Sequence, residues 1–583
     1  MIRLFYDWIE NTGRDLRFVL RSLAKTPGFT ATAIIVLAVG IGANTAIFSV
    51  VNTILLKPLS YPEPDSLVQL VNVDPEGADT AASVPKLNIW LQQTSIFQHV
   101  AGYDQGGAGL NLTGSDFPEQ VQGVHVTADY FALFGAPVLA GRTFTAAEDS
   151  PNGSHVVVLS YGLWRRRFGG NPKIVGTSIQ LDGQPFVVVG VIGRNFVTES
   201  GGDLWLPYQF DLMSQDRANY FFVAARLKPG ITLQMANARL KIAADQYRNT
   251  YPGALGPQSG FGVIPLQESI IGDTRSSLLV LLGAVGFVLL IACANVGNLL
   301  LIRASGRKRE LATRAALGAS RVQIIRQLLT ESLVLSITGG ILGLLLGIVG
   351  VRMLLAISPG GIPRIGENGS AVTLDLNVLF FTFAISVITG ILFGLVPAVG
   401  ASRPNLAATL NESSNRSGVG FRSGRLRSVL VVSEIALALI LIVGAALLIR
   451  TFRNLQAVDP GFNPNSVLTM AMSVNGERFH KTAGVAQIIR EGTERLNAVP
   501  GVISAAAACC LPLQGGFGMS FDIVGRPKGT DPSTGGRRIL PGFMELLRHL
   551  SSSHPARAHG PARCARMQPG HLARGPHPGE RLQ

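Results

Sequence analysis

The chain is short of charge, and shorter of acid than of base. Only 15% of its 583 residues are Asp, Glu, Lys or Arg, and 36 acids face 50 bases for a formal charge of +14. Cysteine is scarce: Cys293, Cys509, Cys510 and Cys564. Cys509 and Cys510 are adjacent and no second pair stands at zinc spacing, so a disulfide framework and a Cys-ligated metal are excluded. No G-x-x-x-x-G-K-[ST] occurs, so the chain holds no phosphate-cradling loop of its own. H-E-x-x-H and G-x-S-x-G are missing too. His99, His125, His155 and His480 are scattered without an evident acid partner, and the other five histidines crowd residues 549–583. These gaps leave no catalytic site, cofactor or metal to assign.

What is present is apolar sequence: 47% of residues are hydrophobic and mean hydropathy is +0.33. A basic soluble protein would suggest nucleic acid. Here the basic excess flanks apolar runs, and no Lys/Arg run is interleaved with aromatics. Orientation in a lipid bilayer explains the charge better, with no nucleic-acid partner.

Five apolar runs are long enough to cross a membrane, at 31–56, 278–302, 333–357, 379–401 and 429–448. Residues 57–276 differ, with ordinary polarity and frequent Gly and Pro. VVVLS (156–160) and FVVVGVIG (186–193) are strand-like, and LDG (181–183) reads as a hairpin turn. Residues 233–251 have helical periodicity. The expected architecture is a multi-pass α-helical membrane protein with five transmembrane helices and a large α/β extracytoplasmic domain of about 220 residues, in one lobe or two.

Residues 1–29 predict an amphipathic helix. Leu16, Val19, Leu20 and Leu23 form one stripe, with Arg14, Arg17, Arg21 and Lys25 opposite, a pattern suited to the headgroup region. Pro27-Gly28 ends it. The apolar run that follows is too long for a signal-peptide core, so no cleavable signal is expected. The loop 303–332 carries Arg303, Arg307, Lys308, Arg309, Arg314, Arg321 and Arg326 against Glu310 and Glu331. The linker 402–427 is also basic. Both belong in the cytoplasm with the N-terminus, which places 57–276 on the far side. Within the loop, Leu311 and Ala315, then Ile324, Ile325, Leu328 and Leu329, recur at helical spacing around Gly318. That predicts a short helix along the membrane face before the third span.

Polar residues inside the spans are few. Asn44, Asn52, Asn295 and Asn298 are expected to bond between helices more often than to hold cargo. Glu434 is the one carboxylate within a run and is a functional candidate by default. Its place near a helix end also fits a structural pairing. Gly339, Gly343 and Gly347, and likewise Gly390 and Gly394, predict close helix contact.

The wording of the loop adds to this. RELATRAALGASRVQIIRQLLTES (309–332) closely resembles the cytoplasmic loop of FtsX-like and MacB-type ABC transporter permeases. HVTADYFALFGAPVLAGRTFTAAED (125–149) and residues 156–193 resemble the MacB-like periplasmic core domain. ACANVGNLLLIRA (292–304) and ASRPNLAATLNE (401–412) extend the likeness across the FtsX-like permease domain, 278–401. The resemblance implies that the loop is a coupling helix docking on a separate ABC ATPase subunit, with Glu310, Arg314, Leu317, Gly318 and Ala319 at the motif positions. It implies that ATP is bound by that partner, and that cofactors in this chain are none. It further implies a dimer or pseudo-dimer of permease modules, a periplasmic adaptor, and residence in a bacterial inner membrane. Peptide, drug or lipid-like cargo would then be moved by motion of the periplasmic domain. A secondary transporter or channel is the competing class, but it needs polar groups at the midplane, and these spans are nearly bare of them. A membrane-anchored sensor or scaffold would explain the domain but not the loop.

Beyond the fifth run, 449–548 reads as the start of a second, incomplete core domain. PNSVLTMAMSV (464–474) is strand-like, 485–502 reads as a helix leading to a strand, and 535–547 faintly echoes 124–134. That pattern resembles a duplicated orphan permease of the acidobacterial type. The tail 549–583 has no apolar periodicity and is expected to be disordered, as after a shifted reading frame or in a truncated gene, with a His-rich metal-binding tail as the functional alternative.

Overall fold

The structure, a computed structural model, describes residues 13, 16–75, 77–104, 109–114, 118–194, 196, 198, 201–306, 321–357, 375–401, 420–458, 467–470, 472 and 482–507. The chain divides into two units, 1–58 with 271–458, and 59–270 with 459–583.

In the first unit, five helices among the described residues are long and apolar enough to cross a membrane: Pro27–Leu56, Thr274–Arg303, Gln323–Met353, Leu376–Leu395 and Ser428–Ala457. They coincide with the five apolar runs. Several helices extend beyond them. The second runs Leu266–Gly306, the third Arg321–Ile357 and the fifth Gly420–Ala457. Their flanks contain no proline, and polar helix formers there continue the backbone bonding once the apolar run has ended. This corrects the expectation of a separate surface helix for its second half, while Leu311 and Ala315 lie outside the described residues. Ile324, Ile325, Leu328 and Leu329 belong to the third span's own unbroken helix.

Pro27 has two roles. It closes the helix at 16–24 and opens the first span, where its missing N–H is not needed. The first span ends in a π turn, Asn52–Leu56, closed by the Lys57 N–H donating to the Asn52 carbonyl at 2.8 Å.

The third span packs between the first and the fourth. Its Gly339, Gly343 and Gly347 meet the first span at Leu37, Ala38, Gly42 and Thr45. Its other side meets the fourth through Gly340 on Ser386, Ser336 on Gly390, and Ser332 on Gly394. Between the first and fourth spans the buried Thr45 and Thr382 hydroxyls share a hydrogen bond at 3.1 Å. Small residues let backbones approach where lipid offers no hydrophobic force for association. The second span meets the first through Leu289 and Ala292 on Gly40.

Among the described residues the second unit is built on one sheet of thirteen strands: β1 Leu67–Asp74, β2 Gly77–Asp79, β3 Ala81–Ala82, β4 Phe97–Tyr103, β5 Gly109–Thr113, β6 Glu119–Val126, β7 Val138–Gly141, β8 Val156–Leu159, β9 Ser178–Leu181, β10 Gln184–Ile192, β11 Leu204–Pro207, β12 Phe221–Leu227 and β13 Gly260–Pro265. The main path runs β11-β8-β10-β9-β5-β6-β4-β12-β1-β13, and β11 also pairs with β6. Most pairs are antiparallel; β8 with β10 and β6 with β11 are parallel. Sequence alternation left one lobe or two open, and the sheet is continuous while its apolar cores are several. One core gathers Trp90, Phe221, Phe261 and the inner face of helix Leu233–Thr250. A second holds Tyr130, Phe131, Phe144 and Trp205, and a third holds Val157, Leu163 and Val188.

LDG forms the expected hairpin. Leu181 pairs with Gln184 across Asp182 and Gly183, whose φ values are +51° and +79°. A two-residue turn with φ positive at both positions matches the strand twist, which is why Asp-Gly suits it.

Further along, helix Thr482–Asn497 forms, and the described parts of the expected strands are not in strands. Residues 467–470, 472 and 501–507 are not in strands, and Leu468 is 97% exposed. A strand needs a ladder partner, and none pairs with these residues among those described. The echo at 535–547 and the tail 549–583 lie outside the described residues.

Candidate functional site

Glu310, Arg314, Leu317, Gly318 and Ala319 fall in 307–320, outside the described residues. The two helical arms that carry this loop are described, and a buried ion pair joins them. Arg303, on the last turn of the second span's helix, has its Nη1 2.8 Å from Oε1 of Glu331 on the third. The two side chains are 13% and 4% exposed. Arg303 Nη2 also donates to the Ser22 carbonyl at 3.0 Å and meets the Ser22 hydroxyl at 3.1 Å. Its guanidinium lies 4.5 Å from the centre of the Phe29 ring. One arginine therefore ties together both arms, the N-terminal helix and the start of the first span.

Apolar packing surrounds this joint. Val19 and Leu23 are buried with Leu37, Cys293, Val296, Leu300, Leu335 and Phe393. Leu16 and Leu20 of the same stripe stay exposed, at 42% and 52%. Only half the amphipathic face seats on the bundle. The planar guanidinium suits the arrangement, since it can stack on an aromatic ring and bond at its edge together. A buried charge of either sign is costly alone and tolerated when paired and hydrogen-bonded.

Sequence reasoning counted Arg303 among seven loop bases and Glu331 as an offsetting acid, and missed that they pair. One signal was available. Glu331 sits between Leu328, Leu329 and Leu333, inside apolar sequence, where a carboxylate needs a partner.

The intramembrane polar residues separate. Asn44 Nδ2 donates to the Gly40 carbonyl at 2.9 Å and to the Val285 carbonyl of the second span at 2.8 Å. It is a helix-to-helix bond. Asn52 bonds to Asp375, at the head of the fourth span, at 2.8 Å. Asn295 and Asn298 are half-buried on the second span, and Asn298 Oδ1 has no hydrogen-bond partner among the described residues. Glu434 is half-buried on the fifth span and makes no ion pair among the described residues. Among the described residues no hydrogen bond or ion pair links Glu434 to Asn295 or Asn298, although Leu430, one turn before Glu434, would lie 3.9 Å from a Cβ placed on Gly297.

In the outer domain the polar clusters brace the fold. The Asp104 carboxylate accepts from the Tyr208 hydroxyl and from the His125 N–H and meets His125 Nδ1 at 3.1 Å. Burial pushes the Asp104 carboxyl up, but His125 and Tyr208 together hold it below its ordinary value. Asp149 accepts the Ala128 and Gln209 N–H groups, and Arg142 pairs with Glu148 at 2.7 Å. Among the described residues no group of three or more His, Cys, Asp or Glu could hold a metal.

Comparison with known proteins agrees with this architecture. Residues 30–243 match the MacB-like periplasmic core domain, and 282–406 match the FtsX-like permease C-terminal family. The ABC transporter permease YvrN of Bacillus subtilis is 31% identical over 316 residues, covering 51% of this chain and 71% of that protein. The pyoverdine export ATP-binding/permease protein PvdT of Pseudomonas syringae pv. tomato is 26% identical over 392 residues, covering 65% of this chain and 55% of that protein. The chain thus spans about half the length of the PvdT relatives it matches. Among solved structures, the periplasmic region of MacB from Actinobacillus actinomycetemcomitans is similar at 16% identity and a TM-score of 0.27, over 36% of this chain and 92% of that one.

The fold and these matches define a multi-pass membrane protein with a large periplasmic α/β domain. The chain belongs to the ABC transporter permeases of the FtsX-like and MacB-type family.

Proposed function

We propose that this permease passes the energy of ATP hydrolysis by a separate ABC ATPase to its periplasmic domain, and that the loop between the second and third spans receives it. The observation that carries this reading is the Arg303–Glu331 pair. It fastens the two arms together at the base of the loop, so a displacement of the loop moves both spans instead of being lost between them. The PvdT relatives are named as ATP-binding and permease protein in one. In this reading a separate ATPase subunit supplies the nucleotide site.

In this reading Glu310, Arg314, Leu317, Gly318 and Ala319 form the docking surface, in the cytoplasm of a bacterial inner membrane. The assembly is a dimer or pseudo-dimer of permease modules working with a periplasmic adaptor, and its cargo is peptide, drug or lipid-like. The bonded polar groups that join the first span to its neighbours support motion over passage. Thr45 and Thr382 bond to each other, and Asn44 bonds to backbone carbonyls. A secondary transporter would keep such groups open to a hydrated path.

Co-purification tests the reading. Tagged wild-type chain is expected to bring down an ATPase from its host membrane. Gly318→Arg and Glu310→Lys are expected to lose it while the chain still inserts and folds. Retention of the ATPase by both variants would remove the docking surface.

A further inference from the structure

The first span carries a second polar joint, at the end where the chain leaves it for the outer domain. Asn52, 1% exposed, opens the π turn Asn52–Leu56. Such turns set a side chain off the α-helical schedule and are frequent at functional sites. Here Asn52 Nδ2 donates to Asp375 Oδ2 at 2.8 Å, and Lys57 Nζ lies 3.6 Å from the same oxygen. The other Asp375 oxygen accepts the Val378 N–H at 3.0 Å, capping the fourth span's helix. Asn377 Nδ2 reaches Asn52 Oδ1 at 3.5 Å. After Lys57 only Pro58 precedes the outer unit, which begins at Leu59.

We infer that Asp375 is a positioning residue for transmission, fastening the π turn at the exit of the first span to the head of the fourth. The two spans then hand their displacement to the outer domain as one body. Three features point this way. One carboxylate serves both helices, with an oxygen for each. The bond to Asn52 is made at a break in α-helical geometry, where the backbone is least constrained by its own ladder. The first span is already joined to the fourth within the bilayer by Thr45 and Thr382, so the joint extends an existing contact to the point of exit. The inference deepens the coupling reading and rests on it for the source of the displacement.

A cap-only role is the alternative, and one substitution separates the two. Asp375→Asn keeps an oxygen for the Val378 N–H, since Asn caps about as well as Asp. It sets an amide donor against the Asn52 amide donor and removes the charge facing Lys57. Combining it with Asn52→Asp restores a donor and an acceptor across the joint.

The measurement is hydrogen exchange by mass spectrometry on the full chain in lipid nanodiscs, without nucleotide. In Asp375→Asn the amides of 52–57 are expected to exchange roughly tenfold faster, with those of 376–390 unchanged, and the double variant is expected to restore the wild-type rate. Unchanged exchange at 52–57 would leave Asp375 a helix cap and overturn the inference. In the complex with the co-purified ATPase, ATP is expected to change exchange in the outer strand Leu67–Asp74 of the wild type. Asp375→Asn should abolish that change while ATP turnover continues, and the double variant should recover it. A change that persists in Asp375→Asn overturns the role in transmission. A wild type with no ATP-driven change overturns that role together with the coupling reading, while the nucleotide-free exchange at 52–57 still decides the joint itself.

Discussion

A Cβ placed on Gly42 would lie 2.8 Å from the carbonyl oxygen of Gly343, and one on Gly343 would lie 2.9 Å from the Gly42 nitrogen. The first and third spans therefore touch backbone to backbone. Neither side can yield by rotating a side chain, so any added atom must separate the helices. Gly343→Leu is expected to destabilise the bundle by about 1–3 kcal/mol, the usual cost of overpacking. Gly350→Ala, with nothing within 4 Å of its added carbon, is the control and is expected to be neutral or stabilising. Thermal unfolding in detergent compares them. Equal melting of Gly343→Leu and wild type would refute the contact.

The Arg303–Glu331 pair makes a different prediction. Removing one partner leaves the other charge buried. Arg303→Met or Glu331→Leu alone is expected to cost about 3–5 kcal/mol. Arg303→Met with Glu331→Leu removes both charges and is expected to recover most of that loss, because an apolar pair of similar volume avoids the desolvation cost. A double-mutant cycle on unfolding measures the coupling. Additive single losses would show that the two residues are not partners.

The spans and their glycine strips were legible because lipid imposes a simple rule, a long run without charge. Their true lengths were not. The arms of the second and third helices continue through polar sequence, as at Leu266–Ser277 and Arg321–Ser332, where hydropathy falls but helix propensity does not. The LDG turn was legible because Asp182 and Gly183 meet a strict backbone requirement. The two polar joints were not, since each links residues far apart in sequence. Arg303 and Glu331 are separated by the loop, and Asn52 and Asp375 by the outer domain and two spans. A count of charges sees Arg303 as one of several bases; only packing shows that its side chain is mostly covered, against the buried Glu331. Of the strand-like stretch 464–474 only 467–470 and 472 are described, and no described strand pairs with them.

Lys86 gives the outer domain a pH signature. It is 6% exposed and donates to Asn219 Oδ1 at 3.1 Å. Burial pulls its ammonium from 10.5 down to about 8, against Asp79 and Asp74, which raise it. Between those values the unfolded chain keeps the proton that the folded chain has released. Stability therefore rises with pH from about 8 to 10.5, and the burial penalty is full below 8. Denaturant midpoints followed by fluorescence of the buried Trp90 and Trp205 should rise over that window in the wild type. Lys86→Met should flatten the rise. An unchanged slope in Lys86→Met would assign the dependence to another group.

Whether the loop between the second and third spans receives the force is best tested by placing a photo-crosslinking amino acid at Leu317 in living cells. The account predicts one ultraviolet-dependent adduct whose partner, identified by mass spectrometry, is an ATPase containing a phosphate-cradling loop, and loss of that adduct in Gly318→Arg. An adduct formed only with periplasmic proteins, or none with any ATPase, would contradict it.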